Sequence, residues 1–250
     1  MSVRTERDDH LGIITLDRPP ANAFDQAQTQ ALAGAVTTLG EDPAVRAILI
    51  RSTQRIFCAG ADITMMESWN TAPDRGARLR RFTAGLQDVF TRIEALPKPT
   101  VAALAGAATG GGLELALACD FRIAGASVKL GLPEVGIGLL PGAGGTQRLT
   151  RLAGPSVAHR IVLGAELVTG DEAQQLGIVQ WATTGDVEAK GRALAERLAQ
   201  LPPASYAAAK RCITAARGEE GFARELDEIS RLIETPDTAR LLEGFLARAR

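Results

Sequence analysis

The stretch TGGGLELALACD, residues 109–120, sets three consecutive glycines and a single glutamate, Glu114, in an otherwise apolar run. A helix that starts near Gly111 turns unpaired amide N–H groups outward in its first turn, and glycine lets the atoms of another molecule approach them. Such an end can hold an oxyanion. Leu113, Leu115, Ala116, Leu117, Ala118 and Cys119 are apolar all round, so the helix is expected to be buried on every side, with Glu114 in a dry place one turn from that end. Burial raises a carboxyl pKa and the positive helix terminus lowers it, which can leave the group near neutrality, in the range of general-base catalysis. The alternative reading is an early-turn acid that complements the helix dipole, a contribution of ~0.3–1 kcal/mol. It is not a capping box, because the residue three after Thr109 is Gly112.

Other chemistries lack their residues. His10 and His159 are the only histidines, and neither an H-E-x-x-H nor a C-x-x-C pattern occurs, so no metal site is expected. No G-x-S-x-G forms a nucleophile elbow, and no G-x-x-x-x-G-K-[ST] cradles a phosphate. GAGGTQ, 142–147, does not have the spacing of G-x-G-x-x-G. Carboxylates, arginines and backbone amides remain for proton chemistry.

The elements that would position them alternate. LGIITLD (11–17), AVRAILIRS (44–52) and TVAALAG (100–106) read as strands, with a helix capped by Asp25 running to about Leu39 and another across 76–96, where Leu79, Phe82, Leu86, Val89, Phe90, Ile93 and Leu96 keep helical spacing. After the glycine-led helix come a strand pair around 120–125 and 127–131, then a turn-rich segment over 133–151. Good helix formers dominate 186–200, 204–217 and 221–234. The pattern predicts an α/β core over 1–182 and a C-terminal helical region over 183–250.

With 250 residues and 46% hydrophobic content, the chain can bury a sizeable core. Its net charge of −1 and lack of a basic stripe argue against nucleic acid or an anionic membrane as partner. No apolar stretch reaches the ~18 residues of a membrane span, and the polar start MSVRTERDDH does not read as a signal peptide. Cys58, Cys119 and Cys212 are odd in number and far apart, which suits a reducing cytoplasm.

Three ordered motifs, IFCAGADI (56–63), GGGLELALACD (110–120) and PEVGIGLLPGAGGTQRLTR (133–151), together resemble the enoyl-CoA hydratase/isomerase (crotonase) family. The similarity extends from GIITLDRPPANAFD (12–25) through LVTGDEAQQLGIV (167–179) to EGFLARAR (243–250). The resemblance implies a spiral of repeated ββα units, with C-terminal helices that join chains into a homotrimer or a dimer of trimers. It implies reversible syn addition of water to a 2-trans-enoyl-CoA in fatty-acid β-oxidation or related acyl-CoA metabolism. CoA is then part of the substrate, and no metal or redox cofactor is needed. By position, the resemblance assigns the amides of Ala59 and Gly111 to an oxyanion hole for the thioester carbonyl. It gives Glu114 and Glu134 the water and the C2 proton, and has the Gly142 amide help hold the water. Ala59, Gly60, Ala61, Asp62, Ile63 and Gly111 would line the CoA side. Arg248 or Arg250 would meet the CoA phosphates where many relatives carry a lysine. Both glutamates are present, which favours a hydratase over a double-bond isomerase. The remaining alternative is a noncatalytic acyl-CoA- or RNA-binding homologue.

Overall fold

The computed structural model describes residues 2–216, 218 and 220–248, the side chain of Arg248 excepted. Arg250 and the Arg248 side chain, expected to face CoA phosphates, lie outside the described residues. In chain order the elements are β1 (Val3–Asp8), β2 (Leu11–Leu16), α1 (Gln26–Glu41), β3 (Ala47–Ser52), α2 (Ile63–Trp69), α3 (Arg75–Ala95), β4 (Thr100–Leu104), β5 (Ala108–Thr109) and α4 (Gly111–Ala118). Then follow β6 (Phe121–Gly125), β7 (Lys129–Gly131), a single 3-10 turn at Pro133–Ile137, α5 (Gly145–Ala158), β8 (Leu167–Thr169), α6 (Gly170–Gln175), β9 (Trp181–Thr183), α7 (Val187–Ala199), α8 (Pro203–Ala215), α9 (Gly221–Ile233) and α10 (Pro236–Arg248).

The strands form two sheets. The larger runs β1-β2-β3-β4-β6-β9, parallel except for the β1–β2 hairpin, and the smaller runs β5-β7-β8. Parallel sheets are covered on both faces and read as continuous apolar runs rather than alternating ones, which is why β2, β3 and β4 stand out in the sequence. On one face Ile14, Leu16, Ile48, Ile50, Ala102 and Leu104 join the core with Leu32, Val36, Leu86, Phe90 and Ile93 from α1 and α3. On the other face α7 lies close, with Gly191 against Leu49 and Ala103.

Three readings are corrected. β1 is a strand the sequence hid, because only Val3 of its six residues is buried. The expected strand pair at 120–125 and 127–131 does not pair: β6 sits between β4 and β9, and β7 between β5 and β8. The turn-rich segment becomes a helix at Gly145, and Gly142 and Gly144 belong to the turn before it. Asp25 does cap α1, accepting from the Gln28 amide at 2.7 Å.

By its contacts the chain divides into two compact units, one ending at Ala199 and including α7, the other beginning at Gln200. In the second, α8 and α9 pack together and are tied by Arg211, whose guanidinium donates to both carboxylate oxygens of Glu228 at 2.7 and 2.8 Å.

Candidate active site

The loop entering the site is sewn down by main-chain bonds. The Phe57 amide donates to Ala107 O at 2.9 Å and the Thr109 amide to Cys58 O at 3.0 Å, which lays residues 57–58 along the strand leading to α4. Asn22, fully buried with φ of +52°, anchors the other side. Its Nδ2 donates to Ser52 Oγ at 2.7 Å and Phe57 O at 2.9 Å, and its Oδ1 accepts from the Arg18 amide at 2.7 Å. A buried side-chain amide with its donors and acceptor used fixes both strands it touches.

Beyond Cys58 the amides differ in their use. Ala59 N–H donates to Ala21 O at 3.0 Å, so it is committed inside the protein. Phe24 forms a parallel bridge astride Ala61: its amide donates to Gly60 O at 2.7 Å and its carbonyl accepts from the Asp62 amide at 2.8 Å. In a parallel bridge the straddled residue turns its own N–H away, and the Ala61 amide has no partner among the described residues. The expectation that the Ala59 amide is available as an oxyanion donor is therefore corrected, and the amide left without a partner among the described residues lies two positions on, at Ala61. The shift follows from the extra hydrogen bond to Ala21, which no motif announces.

The second free amide is Gly111, the first residue of α4. Gly110 caps that helix at φ +53°, the Glu114 amide closes its first turn onto Gly110 O, and Gly111 N–H is left over. The loop and the helix touch closely: a Cβ on Gly111 would lie 3.4 Å from Gly60 Cα, and one on Gly112 would lie 2.1 Å from Cys58 O. The glycine triplet therefore serves close approach of backbone to backbone as well as access for a ligand.

All eight residues of α4 are buried, and Glu114 is 3% exposed. Its Oε1 accepts from the Gly145 amide at 2.7 Å. Burial pushes its pKa up to about 7; the Gly145 and Ala143 amides and the Arg148 guanidinium resist that rise, and the Glu134 carboxyl adds to it. Glu134, on the 3-10 turn, rests its Oε1 over Gly110, where a Cβ would come within 2.8 Å. Its Oε2 is buried with no partner among the described residues, and burial also raises its pKa. Two carboxyl groups thus lie close enough to interact near the helix terminus, one clamped by amides and one with an oxygen that has no partner among the described residues.

Gly142 borders the same group through the turn that carries Ala143 and Gly145; its carbonyl accepts from Gln87 Nε2 at 2.6 Å, and its amide has no partner among the described residues. Asp62 and Ile63 take other positions. Asp62 caps α2, accepting from the Thr64 and Met65 amides, and pairs with Arg18 at 2.8 Å, while Ile63 is 77% exposed at the start of α2. Trp69 packs edge-on against Phe82. Among the described residues no three His, Cys, Asp or Glu side chains gather to hold a metal.

Sequence reasoning missed Asn22, Gln87 and Arg148. Asn22 carried a signal in its type, since asparagine is among the few residues that tolerate positive φ. Gln87 and Arg148 act on main-chain carbonyls, which leaves no spacing rule to find them by.

Comparison with known proteins identifies the family and the fold. A sequence model described as enoyl-CoA hydratase/isomerase matches residues 6–247. A crotonyl-CoA hydratase of Syntrophomonas wolfei is 43% identical over 176 residues, 70% of this chain and 66% of that protein. A probable mitochondrial enoyl-CoA hydratase 2 of Arabidopsis thaliana is 36% identical, over 94% of this chain and 78% of that one. The crystal structure of an enoyl-CoA hydratase from Bacillus anthracis superposes with a TM-score of 0.92 at 30% identity, covering 99% of this chain and 97% of that one.

Two outcomes follow from the contacts. Gly112→Ala is expected to cost about 1–3 kcal/mol in chemical denaturation by pushing Cys58 away. Gly34→Ala, with nothing within 4 Å of the added carbon, should be neutral or stabilising. A further outcome concerns Glu114, whose carboxyl holds its proton to about pH 7 in the folded chain against an ordinary 4.5. That stabilisation is complete below the unfolded value and is lost as pH rises through the folded one. Between about pH 4 and about pH 8 the wild type should lose up to about 3 kcal/mol that Glu114→Gln retains; equal pH slopes in the two proteins would refute it.

Proposed function

The chain belongs to the enoyl-CoA hydratase/isomerase family, and from that premise we propose that it adds water reversibly and syn across the double bond of a 2-trans-enoyl-CoA, giving a 3-hydroxyacyl-CoA. The observation that carries this reading is the pair Glu114 and Glu134, both desolvated, at the end of a buried helix whose Gly111 amide is unpaired.

The thioester oxygen accepts from the amides of Gly111 and Ala61. That grip polarises the conjugated system and makes C3 electrophilic, and each such donor is typically worth ~2.7–4 kcal/mol of barrier. Glu114, as carboxylate, takes a proton from a water whose oxygen bonds to C3. The π electrons move to the thioester oxygen, where the two amides hold the enolate. Glu134, as acid, delivers its proton to C2 and the carbonyl re-forms. At the end Glu114 carries a proton and Glu134 has lost one, and exchange with solvent resets the pair. The Gly142 amide holds the attacking water. Because the two carboxyl groups interact, they titrate as a unit. The reaction transfers protons and leaves no net redox change, so it calls for no redox cofactor, and the two amides polarise the carbonyl in the place a metal ion would otherwise take.

The second unit bears on assembly. In the single chain Phe222, Leu226, Ile229 and Ile233 of α9 are 84%, 69%, 65% and 56% exposed, one apolar stripe at helical spacing. Such a stripe supports a homotrimer or a dimer of trimers. Three free cysteines support a reducing compartment, the cytoplasm.

The test is loss of the conjugated-thioester absorbance across a ladder of enoyl-CoA chain lengths. Glu114→Gln and Glu134→Gln should each lower kcat by two or more orders of magnitude, ~10²-fold or beyond, with CoA affinity nearly intact. The acid limb of wild-type kcat/KM, which reports the free chain, should fall near the pKa of about 7 assigned to Glu114. Turnover of 3-enoyl but not 2-enoyl thioesters would assign an isomerase, and salt-sensitive RNA binding without turnover a noncatalytic homologue. Sedimentation should give three or six chains, reduced by Leu226→Glu; a wild-type monomer would refute the assembly.

A further inference from the structure

We propose that Arg148, assisted by Gln87, is a positioning residue: it holds the 142–145 turn in the orientation that aims its amides at Glu114, and so sets the pH at which that carboxyl gives up its proton in turnover. The role in turnover rests on the reading of Glu114 given above.

The turn is stapled to α3 through its carbonyls. Gln87 Nε2 donates to Gly142 O at 2.6 Å, and Arg148 Nη1 donates to Ala143 O at 2.9 Å. Across a planar trans peptide, the carbonyl of one residue and the N–H of the next point in opposite directions. Drawing the Gly142 carbonyl toward α3 therefore turns the Ala143 N–H the other way, toward Glu114, whose ionised form it favours. The Gly145 N–H reaches Glu114 Oε1 at 2.7 Å.

Arg148 is itself fixed. Only 8% exposed, it donates from Nε to Glu94 Oε2 at 3.1 Å and from Nη2 to Thr91 Oγ1 at 3.3 Å, both on α3. Its main-chain N–H closes the first turn of α5 onto Gly144 O at 2.8 Å. Gly144, at φ +109°, makes room for the guanidinium: a Cβ there would lie 2.1 Å from Nη1. The charged groups facing Glu114 are Glu134 from the 3-10 turn and Arg148 from α5, with Glu94 of α3 behind Arg148; β5, Ala108–Thr109, brings none. Arg148 thus favours by its charge the carboxylate that must accept a proton from water, while its hold on Ala143 O pins the turn whose Ala143 N–H the Gln87 contact orients.

Arg148→Met removes the charge and the donors while keeping much of the stem. The acid limb of kcat for hydration should move up by about one pH unit, with kcat recovering at high pH and KM unchanged. Arg148→Lys should restore most of the shift. Gln87→Ala, at an exposed position, should move the limb in the same direction by less, and it carries the test if Arg148→Met does not fold. An unmoved limb, or a kcat lowered by one factor at every pH, overturns the proposal. Infrared titration of the Glu114 carboxyl in the free protein, identified by subtraction of the corresponding Glu114→Gln protein, reads the same shift without turnover. If the wild type hydrates nothing, the functional reading fails while this titration still decides the positioning role; an unshifted carboxyl band refutes it.

Discussion

A carboxyl group taken out of water has to be met by something, and Glu114 is met by peptide amides. Leaving it charged and uncompensated in an apolar helix would cost several kcal/mol; the Gly145 and Ala143 amides bring its titration back to the region of neutrality. The turn before α5 is shaped around that demand, as is the 3-10 turn that brings Glu134 over Gly110. The α4 helix can be buried entirely because α3, α5 and β5 of the smaller sheet pack on it, so the catalytic environment and the hydrophobic core are one construction.

Much of this was legible in the residues. TGGGLELALACD announced a glycine-led, buried helix with one acid in its first turn, and α4 has that form. The continuous apolar runs gave β2, β3 and β4, since a sheet covered on both faces leaves a pattern that needs no partner to interpret. The helical periods gave α1, α3, α7, α8 and α9. Glu134 was different: only the family resemblance singled it out.

What escaped the sequence was long-range and main-chain. β6 and β7 are adjacent in the chain yet belong to different sheets, and no local signal separates a hairpin from two strands that diverge. β1 has a single buried residue and so no pattern to detect. The loop at 59–61 is the clearest case. Ala59, Gly60 and Ala61 look interchangeable as candidate donors, and which amide is free is decided by Ala21 and Phe24, residues more than thirty positions earlier.

The two amides offered by Ala61 and Gly111 belong to the peptide chain, not to any side group. Exchange of one amino acid for another at either position leaves an N–H in place, proline alone excepted, so the anion grip is insulated from most genetic drift that preserves the backbone path. Meanwhile α2, none of whose residues is buried, is free to change. A scaffold arranged in this way can renew its outer side chains over generations while the main chain at its centre stays the same.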